Sequence, residues 1–143
     1  MDPLSVIASV TGLLSVVAEI TTVLSDFLRR EKNAPATMRN IITEVSALHV
    51  CLAQLSHFIR GTEDAPRSRQ AAISVEQVVV VNTTCVLALS ELEKILDSFK
   101  LKQPMSTFTK LRWAINEQEI TGILERIRVS RSSLNLILTI LTW

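Results

Sequence analysis

Four apolar runs, each about 25 residues long and spaced alternately by threes and fours, constrain the fold of this chain more than any other feature. From Pro3 to Arg30 the run is Val6, Val10, Leu13, Val17, Ile20, Leu24 and Phe27. From Pro35 to Arg60 it is Met38, Ile41, Val45, Leu48, Leu52, Leu55 and Ile59. The third comprises Val75, Val78, Asn82, Cys85, Leu89, Leu92, Leu96 and Phe99. The fourth comprises Ile120, Leu124, Ile127, Leu134, Leu138 and Leu141, with Arg131 where an apolar residue is due. An α-helix completes a turn in about 3.6 residues, so this spacing collects each run on one helical face. Val78 to Val81 alone would suit a strand, but the longer period outweighs it.

Breakers separate the runs, with Pro, Gly and polar clusters at 33–35, 60–69 and 102–106. Asp2 and Pro3 suit the start of the first helix, Pro35 and Gly61 bracket the second, and Ser74-x-x-Gln77 forms a capping box for the third. The fourth start is open: Asn116-x-x-Glu119 is one capping box, and Ser106 offers a start three turns earlier, leaving room for an extra short helix before the last. Four helices of about 38 Å with short or moderate connections predict an all-α, antiparallel up-down four-helix bundle, one domain over residues 1–143. A chain this long buries about two-thirds of its unfolded surface, enough for a core without disulfides or a structural metal. The apolar close from Leu134 to Trp143 predicts a domain belonging to a longer protein.

Charge is nearly balanced, 15 Lys+Arg against 14 Asp+Glu, which removes the broad electrostatic case for nucleic-acid binding. Three glycines leave little for a phosphate-cradling loop. Cys51 and Cys85 lie in apolar stretches and read as buried thiols of a reducing, intracellular compartment, with Asp2 where a secretory signal would carry a cation. His49 and Cys51 are two apart, on nearly opposite sides of a helix, and His57 follows two turns later, so no metal site forms from them and both histidines read as rim residues. Asn82-Thr83-Thr84 matches the glycosylation pattern but falls inside the third helix. No nucleophile has an activating partner in a local pattern. The chain reads as a non-enzyme with no cofactor, no metal and no small-molecule substrate.

Two features point to a surface instead. From Pro3 to Ala18 sixteen consecutive residues are uncharged, and Leu4, Ile7, Leu14 and Val16 add apolar positions off the first stripe. Sixteen residues cover about 24 Å against a hydrocarbon layer of about 30 Å. Extension to Ser25 would span it, but brings in Glu19 at a cost of roughly 3 kcal/mol at mid-bilayer, which disfavours constitutive spanning. Ala8 and Gly12, four apart, would allow close helix contact in lipid. In addition, Arg29, Arg30, Lys32 and Arg39 border the first connection and Lys100, Lys102, Lys110 and Arg112 the third, with Glu31 opposing them. In an up-down bundle both connections share an end, which predicts a basic pole suited to anionic lipid. Cations near helix C-termini serve the helix dipole equally well. Arg131 is expected to pair with Glu19, Glu44 or Glu91, or to extend its cation from the bundle edge.

The opening Met1 to Leu14, MDPLSVIASVTGLL, resembles the N-terminal domain of fungal STAND or NOD-like receptors, the HeLo-like group. Glu44-Val45-Ser46-Ala47-Leu48, Ser90-Glu91-Leu92-Glu93, Leu111-Arg112-Trp113-Ala114 through Glu119-Ile120, and Ser132 to Leu141 are similar in the same order, so the likeness covers essentially the whole chain. The resemblance implies a helical cell-death execution domain placed ahead of a nucleotide-binding oligomerisation module and a repeat sensor. It implies homo-oligomerisation on activation, contact with other domains of its receptor, and relocation from cytoplasm to the plasma membrane, where the N-terminal helix permeabilises the bilayer. Carried onto this chain, the effector residues are Leu4, Val6, Ile7, Val10, Leu13, Leu14, Val16 and Val17. Glu19 departs from an all-apolar segment and leaves three arrangements: spanning, lying in the interface, or lining a pore. A non-lytic regulatory adaptor that binds partner helices is the alternative.

Overall fold

The computed structural model describes residues 3–31, 34–61, 75–99 and 106–141, with backbone alone for 3–6, 75–77 and 141. Four helices account for nearly all of them: α1 Pro3–Arg30, α2 Ala36–Gly61, α3 Val75–Ser98 and α4 Thr107–Leu141. Their stripes meet in one core. Every stripe residue with a described side chain is buried, from Val10 to Phe27 in α1, Met38 to Ile59 in α2, Val78 to Phe99 in α3 and Ile120 to Leu138 in α4, with Arg131 half-buried among them. The caps at Asp2 and Ser74-x-x-Gln77, Lys32, Lys100 and Lys102, and the side chains of Leu4, Val6, Val75 and Leu141 lie outside the described residues and atoms.

Helix direction alternates along the chain, as the connections predict, but sequence neighbours are not always neighbours in space. α1 packs on α2 and α3, and α4 packs on the same two, so the ring runs α1–α2–α4–α3 and the α2-to-α3 connection joins diagonal helices. Cross-helix partners give the directions. Thr37 with Glu117, Glu44 with Arg128 and Cys51 with Asn135 ascend together, making α2 and α4 parallel. Glu91 with Arg126 and Phe99 with Trp113 run oppositely, making α3 and α4 antiparallel.

No extra short helix precedes the last one among the described residues. α4 is a single rod of 35 residues, longer than its partners, and its start is Ser106: Thr109 N–H donates to Ser106 Oγ at 3.1 Å and Lys110 N–H to Ser106 O at 3.0 Å. Asn116 does not cap a helix; its Nδ2 donates to Arg112 O at 2.9 Å, one turn back. The extended first turns are held by Trp113, buried with its ring centroid 5.0 Å from that of Phe99. Ser106→Ala is expected to cost about 1 kcal/mol and Leu89→Ala about 2–5 kcal/mol, read as lower urea midpoints at unchanged slope.

Candidate functional site

Helix directions decide which surface features share an end. The C-terminus of α1, the N-terminus of α2, the C-terminus of α3 and the N-terminus of α4 lie together; the other four termini lie at the opposite end. Arg29, Arg30, Arg39, Lys110 and Arg112 therefore do gather at one pole. The pole is less purely basic than sequence windows suggest, because the bundle also brings Asp26, Asp97 and Glu117 there. Arg29 is ion-paired with Asp26, whose backbone carbonyl accepts from Arg30 Nε at 3.4 Å. The Arg30 guanidinium also lies 5.9 Å from the Phe27 ring centroid, and that of Arg112 lies 5.1 Å from Phe99. Arg39 and Lys110 are exposed.

The candidate insertion segment sits at the far end. α1 has 28 residues, about 42 Å, so its uncharged N-terminal run and the basic pole are separated by most of the bundle's length. Val10, Leu13 and Val17 are in the core, while Ile7, Leu14 and Val16 are half-buried against it. The residues off the stripe are thus largely absorbed by packing on α2 and α3. Among the described side chains of this run, from Ile7 to Ala18, what α1 turns to solvent is small: Ala8, Thr11, Gly12, Ser15 and Ala18. Two helices, over Ile7–Arg30 and Ala36–Gly61, are long and apolar enough to cross a membrane, a property that core helices of a bundle share. In the bundle both contribute a stripe to the core, Val10 to Phe27 from α1 and Met38 to Ile59 from α2.

The uncharged run of α1 has three counterparts. Val45 to Ile59 of α2, Gln77 to Ser90 of α3 and Ser132 to Leu141 of α4 contain no Asp, Glu, Lys or Arg, and helix direction places all three beside Pro3 to Ala18. Half of the bundle is a charge-free belt about 20 Å deep. Each run is visible in the sequence, but their coincidence needs the direction of every helix. Among the described side chains, the large apolar ones exposed on this belt come from α2, α3 and α4 rather than α1: Val50, Val80, Val86, Leu87, Leu136 and Ile140, with Val129 at its border. The α3–α4 register set by Glu91 with Arg126 puts Val80 level with Leu136 and Leu87 level with Val129.

A collar of ion pairs closes the belt. Glu44, with a side chain 12% exposed, accepts from Arg128 Nε at 3.2 Å and Nη2 at 3.1 Å, and its other oxygen lies 3.6 Å from Arg131 Nη2. This selects Glu44 from the three acids expected for Arg131. Glu125 takes the remaining arm of Arg128 at 2.8 Å, and Arg126 pairs with Glu91. On the α1–α3 side the collar is repulsive. Glu93 of α3 has its carboxyl pushed above the usual range, first by burial, then by Glu19 of α1 and by Asp97. α1 also meets α3 over fewer residues than it meets α2.

The remaining reactive groups are dispersed. Cys51 and Cys85 are free and buried; burial pushes the Cys85 thiol up, Ser130 partly opposing. Asn82 of the glycosylation pattern is 4% exposed. His49 and His57 are exposed, the latter beside a shallow recess of about 390 Å³ shared by α2 and α4 with Gln54, Phe58, Asn135 and Thr139. Among the described residues no group of three or more His, Cys, Asp or Glu forms a metal-sized cluster. A scan against protein-family models found no match, and searches of curated proteins and of solved structures found none either.

The Glu93 site yields a prediction with a definite sign. Its folded carboxyl ionises at higher pH than the same group unfolded, so as pH rises through the carboxylate range the unfolded chain releases its proton first and stability falls. Glu93→Gln is therefore expected to raise the urea midpoint at about pH 7 and to leave it unchanged at about pH 3, below the carboxylate range.

Proposed function

We propose that this chain is a non-enzymatic, membrane-acting effector domain of the HeLo-like, cell-death type, the N-terminal part of a fungal NOD-like receptor. In this reading it is cytoplasmic at rest. Activation clusters copies through the rest of the receptor, and α1 leaves the bundle to enter the plasma membrane. The observation that carries the reading is the sixteen-residue uncharged run of α1, set in a charge-free belt and flanked on its α3 side by the like charges Glu19 and Glu93. The ordered resemblance along the chain supports it.

Energetics define the conditions. α1 buries Val10, Leu13, Val17, Ile20, Leu24 and Phe27. Exposing six such side chains to water costs roughly 10–20 kcal/mol, as large as the stability of a whole domain. Release is therefore unfavourable in solution and requires acyl chains or neighbouring copies as the replacement environment. Repulsion between Glu19 and Glu93 lowers the cost of parting α1 from α3 but is far too small to drive it.

Leu13 and Val17 make poor probes, because a charge at these buried positions would unfold the bundle. Ala8 and Gly12 make good ones: Ala8 is exposed, and a Cβ at Gly12 would meet nothing within 4 Å. Ala8→Glu with Gly12→Glu is expected to preserve the circular dichroism spectrum and abolish dye leakage from vesicles, each charge adding roughly 3 kcal/mol at mid-bilayer. Leakage equal to that of the unaltered protein rejects insertion of α1.

One observation favours the second reading, a non-lytic adaptor. Val80, Leu87, Val129, Leu136 and Ile140 stay exposed on α3 and α4 of the intact bundle, where a second copy would cover them together with the adjacent Glu91–Arg126 ion pair, whose charges offset one another. Under that reading, sedimentation velocity shows a dimer that Leu87→Glu dissociates, and vesicles neither bind nor leak.

A further inference from the structure

The first three turns of α4 are the most exposed apolar helix surface in the described molecule. Phe108, Leu111 and Ile115 are 70%, 59% and 77% exposed and, spaced by three and four, share one face. The opposite face is anchored by Trp113 on Phe99. Thr37, one residue into α2, is level with Glu117, so α4 begins nine residues, about 14 Å, beyond its parallel neighbour. The triad therefore stands on a projecting finger.

Charge on the finger has one sign. From Ser106 to Asn116 the chain carries Lys110 and Arg112 and no acid. Acids of this pole lie off the finger: Glu117 accepts from Thr37, Asp26 is held by Arg29, Asp97 belongs to α3 and Glu31 follows α1. A protein partner would gain little from the finger alone, since three side chains offer on the order of 400 Å², about half of what one side of a stable protein pair buries. A bilayer surface fits better. An apolar wedge reaches the acyl boundary while adjacent cations stay among anionic headgroups.

We infer that the α4 finger is a lipid-docking tip, with Phe108, Leu111 and Ile115 entering an anionic membrane surface and Lys110 and Arg112 held at its headgroups. The inference rests on the membrane reading above and deepens it by naming the first point of contact. It also sets orientation: a domain docked by this tip holds the uncharged run of α1 at the end away from the bilayer. Docking and α1 insertion are then separate steps made by different residues.

Vesicle flotation with the whole chain tests this, using phosphatidylcholine with and without phosphatidylserine. Phe108→Ser, Leu111→Ser and Ile115→Ser together are expected to weaken partitioning onto phosphatidylserine vesicles by more than about 30-fold at an unchanged thermal midpoint. The Ala8→Glu, Gly12→Glu chain is expected to float like the unaltered protein and fail to release dye. If the triple variant floats normally, the tip is overturned while α1 insertion stands or falls on leakage. Equal flotation on vesicles lacking phosphatidylserine overturns the cationic contact. Loss of self-association without loss of flotation assigns the triad to a protein partner and overturns the inference. Failure of the unaltered chain to bind any vesicle overturns both proposals. Should the triple variant not fold, Phe108→Cys carrying an environment-sensitive dye reports instead, because Cys51 and Cys85 are buried. A blue shift on phosphatidylserine vesicles is expected, and an unshifted spectrum overturns the tip.

Discussion

Each helix of this bundle has two neighbours and one apolar stripe to divide between them, and this constraint organises the rest. With α1 and α4 on one diagonal and α2 and α3 on the other, every stripe must fill a corner of a common core. Stripes spaced by threes and fours do this from Val10 to Phe27 in α1, Met38 to Ile59 in α2 and Val78 to Leu96 in α3. α4 exceeds what the corner can use. Its surplus turns become the finger, and its buried indole is the bolt that keeps those turns helical.

Much of this was legible in the residues. The stripes of α1, α2 and α3 were readable because apolar periodicity and core burial are the same physical fact. The start of α4 was ambiguous because Ser106 and Asn116 both carry capping chemistry, and only Trp113, whose partner Phe99 lies in the turn that ends α3, decides between them. Ring order was not legible. A stripe states that a face is buried and is silent on which helix covers it, so the parallel contact of α2 with α4 emerges only from pairs such as Glu44 with Arg128. Arg131 shows the same limit: its place in the stripe left pairing inside the bundle and extension from the edge both open, and its choice of Glu44 over Glu19 or Glu91 depends on that order.

The candidate surfaces were legible in part. The uncharged opening of α1 was plain, but that three other runs lie beside it was not, because adjacency depends on direction. Sequence also overstated the greasiness of α1 as a surface, since Ile7, Leu14 and Val16 are half-covered by α2 and α3. It understated Phe108, Leu111 and Ile115, whose stripe resembles a core stripe and is distinguished only by having nothing opposite it.

The ring has one more consequence. Among the described residues α1 packs on α2 and α3 and not on α4, so removing α1 would leave the packing of α2 and α3 on α4 intact. They would then form a trough with the shape and apolar lining of the helix it lost. The best-fitting object for such a trough is an identical α1 from a neighbouring copy, so the same vacancy that frees one rod is a template for reciprocal exchange. Under the proposed membrane reading, clustered copies would therefore face two competing fates: reciprocal exchange of α1 among themselves, or its loss to the lipid phase.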